Sequence, residues 1–181
     1  MFAIVINMSR SFSEMLAEDG KKNSLGRVPD VIEIVLADKA RLEELYGTIF
    51  NKDAWVRMRA IDAFEKISRV RADWVQLYII RIQSDLSKNT QASIRWHMAQ
   101  IYAQVNLNNT QKSNAINWLV HLLSDIEVDW IVSANCMATL ATFTRNGDFK
   151  KTDLIPLLTL QLNHASKAVV KRAAKILLEF S

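Results

Sequence analysis

The sequence predicts an all-α fold, a stack of helical hairpins, and three observations carry that prediction. Half of the 181 residues are apolar, yet there are only four Gly and two Pro, too few turn residues for the many tight reversals of an all-β sandwich. Apolar residues recur at helical spacing through nearly the whole chain. The pattern also repeats: Val56-Arg57-Met58-Arg59-Ala60, Ile94-Arg95-Trp96-His97-Met98, Val132-Ser133-Ala134-Asn135-Cys136 and Val169-Val170-Lys171-Arg172-Ala173 superpose without gaps, at spacings of 38, 38 and 37 residues. At roughly 150 residues per domain the length fits a single domain over 1–181. We divide it into an N-terminal cap, 1–38, and four repeats, 39–181.

Counting from the first residue of each segment, offsets 0, 4, 7, 8 and 11 are apolar or aromatic in nineteen of twenty cases, Thr139 being the exception. These offsets fall within a stripe of about 100° on a helix, the face that an amphipathic helix buries. Each striped helix is preceded by another apolar stretch: Leu42–Phe50, Trp74–Leu86, Ala115–Ile126 and Leu154–Leu162. The unit is therefore a hairpin that must stack on its neighbours to bury its apolar face.

The joints carry N-cap residues. Asp53, Asp129 and Ser166 stand three residues before the first core position of their helices, and Thr90 stands one residue earlier in its own repeat. Asp73 opens the first helix of the second pair, and Thr152 or Asp153 opens that of the last, which keeps Pro156 within the first turn. Upstream, Phe12–Glu18 and the Pro29–Leu36 segment read as two shorter helices that make a degenerate cap. Phe2–Ile6 fits no repeat.

The segment Asp53-Ala54-Trp55-Val56-Arg57-Met58-Arg59-Ala60, followed by Ala63-Phe64 and Ile67, resembles the second helix of a HEAT repeat: an acidic residue, Val-Arg, a small residue, then a bulky apolar one. The resemblance spans about residues 39–181. It departs from the pattern at Gln91, which replaces the Asp, at Ser133 and Val170, which replace the Arg, and at Ser166. It implies a right-handed α-solenoid of about four HEAT-like hairpins, and a role in binding other macromolecules by analogy only.

Catalytic and cofactor motifs are not found. One cysteine, Cys136, excludes an intramolecular disulfide and a multi-cysteine zinc site, and it falls on the core stripe. Gly20, Gly26, Gly47 and Gly147 are scattered singly, unlike a phosphate-cradling loop. His97, His121 and His164 lie on three different elements without a second ligand at helical spacing, and no Gly-x-Ser-x-Gly element occurs. The expectation is a protein with no cofactor, no metal and no enzymatic activity. The longest apolar run, Phe2–Ile6, is far short of the ~20 residues needed to cross a bilayer. A cytoplasmic protein with no membrane partner is expected. The net charge of +4 comes from interspersed signs, as on a solvated mixed surface.

The face opposite the core stripe supplies the candidate site. Offsets 2, 6 and 9 place Met58, Asp62 and Glu65, then Trp96, Gln100 and Ala103, then Ala134, Ala138 and Ala141, then Lys171, Lys175 and Leu178 on one side. Arg59, His97, Asn135 and Arg172 flank them at offset 3. This describes a groove with an acidic patch beside an aromatic, an alanine floor and a basic end. The partner-binding residues read from it are Met58, Arg59, Asp62, Trp96, His97, Gln100, Lys171, Arg172 and Lys175, with Trp96 as the anchor of a bound protein or peptide. The expected function is that of a non-catalytic scaffold or adaptor. The rival, also implied by the resemblance, is a nucleic-acid-binding protein of the DNA alkylation-repair glycosylase type. There Trp96 with Asp62 or Glu65 would meet the damaged nucleotide, while Arg59, Arg95, Lys171 and Arg172 hold phosphates. The two acids weaken the field where DNA would lie.

Overall fold

The computed structural model describes residues 10–18 and 24–180, and helix is the only regular secondary structure among them. The Phe2–Ile6 segment lies outside the described residues. The chain divides into two compact units, one ending at Val75 and the other beginning at Gln76.

In the first unit, α1 (Phe12–Ala17) starts at a capping box: Ser11 Oγ accepts from the Glu14 amide at 3.2 Å, and the Glu14 carboxylate accepts from the Ser11 amide at 3.2 Å. Helix α2 (Val28–Ala37) has Pro29 in its first turn, where a missing N–H leaves nothing unpaired. A 3-10 turn, Lys39–Arg41, leads to α3 (Leu42–Thr48). Helix α4 (Ala54–Val70) is capped by Asp53, which accepts from the Trp55 amide at 2.7 Å. The first three helices all pack against α4, and its five stripe residues, Val56, Ala60, Ala63, Phe64 and Ile67, are buried. The short α5 (Ala72–Val75) also packs on α4. Asp73 does not cap it; the Arg71 carbonyl takes its first bonds, and Asp73 pairs with the Arg71 side chain at 2.7 Å.

The second unit opens with an irregular helix where a continuous one is expected. A 3-10 turn (Gln76–Tyr78), α6 (Ile79–Arg81) and a π turn (Ile82–Leu86) follow one another. A tightened turn followed by a widened one nearly cancels in register, so Ile79, Ile82 and Leu86 all stay buried while Leu77 and Ile80 face solvent. Helix α7 (Ala92–Gln104) has Gln91 and not Thr90 at its N-cap, because Asn89 Oδ1 accepts from the Gln91 amide at 2.9 Å and sets the turn there. Helix α8 (Asn109–Leu123) begins well before Ala115, since Asn108 and Gln111 form a second capping box. Helix α9 (Trp130–Arg145) is capped by Asp129, as expected. It ends in a Schellman turn with Gly147 at φ 78°, the Asp148 amide donating to the Phe143 carbonyl at 2.8 Å.

Helix α10 (Lys151–Gln161) places Pro156 in its second turn, not its first. The helix starts earlier than Asp153, and the Thr152 carbonyl that loses its i+4 donor belongs to an exposed residue. Helix α11 (Lys167–Phe180) begins at Ser166, whose carbonyl accepts from the Val169 and Val170 amides.

The stripe is buried through α7 and α9. In α11 Val169, Ala173 and Ile176 are buried, and Leu177 and Phe180 are half-buried. Within this unit α7 packs on α9 and α9 on α11, with α8 and α10 lying against them. Buried polar groups are paired there. Gln161 Nε2 donates to the Leu123 carbonyl at 2.8 Å, its Oε1 accepts from Ser133 Oγ at 2.6 Å, and Thr139 Oγ1 donates to the Ala99 carbonyl at 2.8 Å. The repeat extends into the loops. Asn51, Asn89 and His164 hold the same repeat position, and each side chain accepts from the amide two residues on, at 2.9 Å in all three. His164 Nδ1 is then an acceptor, which leaves Nε2 to donate to the Val128 carbonyl at 2.9 Å. Among the described residues no helix is long and apolar enough to cross a membrane.

Candidate functional site

The expected groove residues fall in both units and have different fates. In the first, Met58 is half-buried. Arg59, expected on the groove, is buried at 4% exposure. Its Nη1 donates to the Leu16 carbonyl at 2.6 Å and its Nε to the Ser24 carbonyl at 3.0 Å. Leu16 lies at the end of α1, where carbonyls lack intrahelical partners, so the guanidinium is a fastening for the N-terminal segment. Asp62 pairs with Lys66, and Glu65, itself buried, takes Arg69 Nε at 2.7 Å. The acidic patch is thus matched by cations one turn along its own helix.

In the second unit Trp96 is half-buried, its ring centroid 5.0 Å from that of His97. His97 is buried, with Nδ1 2.6 Å from the Ser93 carbonyl, a bond within its own helix that holds the ring inward. It is not available to a partner. Gln100 is half-buried and donates to Asn135 Oδ1 at 2.9 Å.

Lys171, Arg172 and Lys175 are brought together, and they line a cavity of about 520 Å³ between α9 and α11. The volume is within the ~300–1,000 Å³ of ordinary ligand pockets. Ala138, Thr142 and Arg145 of α9 form one side, and Ala168, Ile176 and Glu179 join the three cations on α11. Helix α9 supplies the small residue because its stripe turns Val132, Cys136 and Leu140 inward and leaves Ala138 half-buried. Arg145 and Glu179 form a two-bond ion pair, Nη2 to Oε2 at 2.9 Å and Nε to Oε1. The Arg145 guanidinium holds the Glu179 carboxyl below its ordinary range. Lys171, Arg172 and Lys175 are exposed and have no ion pair among the described residues.

Sequence reasoning missed Thr142, Arg145, Ala168, Ile176 and Glu179 as lining residues. For all but Ala168 the signal was present, since each stands four residues beyond a groove residue on the same helix. A second cavity, of about 400 Å³, lies beside Lys112, Asp148, Lys150 and Asp153. Its two cations face two carboxylates, and Lys112 is joined to Asp148 at 2.7 Å, so it carries no net charge for a ligand.

Cys136 is buried, and burial pushes its thiol up to about 12, far from a reactive thiolate. Among the described residues there is no cluster of His, Cys, Asp and Glu able to hold a metal ion. No family model, no curated protein and no solved structure matches the chain.

Proposed function

We propose that this protein is a non-catalytic adaptor of the HEAT-like, right-handed α-solenoid kind, which binds a segment of another protein between the second helices of adjacent repeats. The observation that carries the reading is the α9–α11 cavity, with its small-residue floor and three exposed cations that form no ion pair among the described residues. Support for the stacked-hairpin part comes from the second unit, where α7, α9 and α11 pack in succession at one repeat spacing. A floor of Ala138 and Ala168 lets a chain approach closely, and cations at the margin fix its register. A single buried thiol fits a reducing compartment, and we assign the protein to the cytoplasm.

The test is site-specific photo-cross-linking in the source cells. A benzophenone amino acid at Ala138 should yield a discrete protein adduct, and the same group at exposed Asn117 on α8 should not. Adducts to nucleic acid alone, or equal adducts at both positions, would overturn the proposal.

A further inference from the structure

We infer that the occupant of the α9–α11 groove is an acidic peptide segment, whose Asp or Glu side chains meet Lys171, Arg172 and Lys175. This rests on the protein-binding reading and narrows it to a partner class. Four cations and one carboxylate line the cavity. One cation, Arg145, is committed to Glu179, and that pair closes off its own part of the lining. The other three remain exposed on one helix, with Lys171 and Lys175 a single turn apart, where like charges repel. An anion between them relieves that repulsion and completes the site.

The spread of the cations selects among anions. Lys171 and Lys175 sit roughly 5–6 Å apart along the helix, and Arg172 is turned about 100° from Lys171. They do not converge on one point, as a single phosphate would require. Carboxylates spaced along a peptide match them. The small and apolar floor of Ala138, Ala168 and Ile176 suits a peptide backbone and short side chains. Single-stranded nucleic acid is held by aromatic rings on which its bases stack, and this cavity is lined by none.

The test uses fluorescence anisotropy on the full chain at low ionic strength. The probes are a fluorescein-labelled peptide of alternating Glu and Ala, its Gln counterpart, and a labelled oligothymidylate of equal charge. The Glu peptide should bind at least about tenfold tighter than the Gln peptide and the oligonucleotide, and its affinity should fall as salt screens the contacts. Lys171→Gln with Lys175→Gln should cost about tenfold, Arg172→Glu at least as much, and Lys88→Glu, an exposed charge outside the groove, should change nothing. Circular dichroism of each variant verifies that it is folded.

Equal binding of the Glu and Gln peptides, or tighter binding of the oligonucleotide, would overturn the acidic-peptide inference. So would absence of peptide binding while the Ala138 cross-linker still captures a protein, a result that leaves the adaptor reading standing. Loss of both signals would overturn the two together.

Discussion

Arg59 and Arg172 hold the same position of the repeat, three residues after the first core residue, and have opposite fates. Arg59 is 4% exposed and spends its guanidinium on the carbonyls of Leu16 and Ser24. Arg172 is exposed and lines a cavity beside two lysines. The helix presents both side chains in the same direction, so the repeat does not decide the outcome. What decides it is whether a neighbouring segment brings unpaired backbone carbonyls to that column. Leu16 and Ser24 do so for Arg59, and among the described residues nothing does so for Arg172. A repeat position is structural where chain covers it and open for binding where chain does not.

The largest expected effect breaks this comparison directly. Arg59→Ala removes charge-assisted bonds to the buried Leu16 carbonyl and the half-buried Ser24 carbonyl and leaves both acceptors without that donor, a loss of about 3 kcal/mol. Arg172→Ala should stay within about 0.5 kcal/mol of the parent. Urea unfolding of both variants measures the difference. Arg59→Lys should recover little, because one ammonium does not reproduce a planar fork directed at separated carbonyls. Equal stability of the two alanine variants would mean that the covering segment contributes nothing to Arg59.

Buried and half-buried glutamines give the same contrast one step down. Gln161 is fully buried and ties Ser133 to the Leu123 carbonyl, whereas Gln100 is half-buried and meets only Asn135. Gln161→Leu should cost about 2 kcal/mol, since a carbonyl and a hydroxyl lose their partner in the interior. Gln100→Leu should cost less than about 1 kcal/mol. Thermal unfolding distinguishes them, and a reversed order would place the buried network elsewhere.

Much of this was legible in the sequence, and the rest depended on distant chain. The stripe offsets are local, so the burial of Val56, Ile94, Val132 and Val169 followed from spacing alone. Asp53 and Asp129 act as caps because a cap needs only the next two amides. Of the expected alanine floor only Ala138 lines the cavity with Lys171 and Lys175, because Ala134 and Ala141 turn inward and are buried. Arg59 was not readable, because its acceptors lie 43 and 35 residues away. His97 was misplaced for the opposite reason: its bond to the carbonyl four residues back turns the ring inward, and periodicity does not report a rotamer. The Asn108–Gln111 capping box was overlooked although the spacing announces it.

Cys136 extends the comparison to pH. Its thiol is raised to about 12 in the folded state by burial, against about 8.5 unfolded. Above pH 9 the unfolded chain therefore holds fewer protons than the folded one, and stability falls with rising pH. The slope reaches at most about 1.4 kcal/mol per pH unit. Cys136→Ala should lose this component of the alkaline slope, and the native thiol should resist a disulfide reagent that labels it promptly in urea. Prompt labelling of the folded protein would contradict the burial.

The smallest effect has the opposite sign, and it tests whether the exposed cations beside Arg172 are kept for binding. Lys171 faces Lys175 one turn on along α11, a like-charge pair that destabilises a helix by about 0.2–0.5 kcal/mol. Lys171→Glu removes that penalty and creates an opposite-charge pair in the favourable order, so the variant should be more stable by about 0.5 kcal/mol. Its melting temperature should rise slightly while the acidic peptide is lost. A residue whose replacement stabilises the fold and abolishes an interaction is held for that interaction. If Lys171→Glu lowers the melting temperature, Lys171 supports the fold as Arg59 does, and the contrast between a covered and an open repeat position does not extend to it.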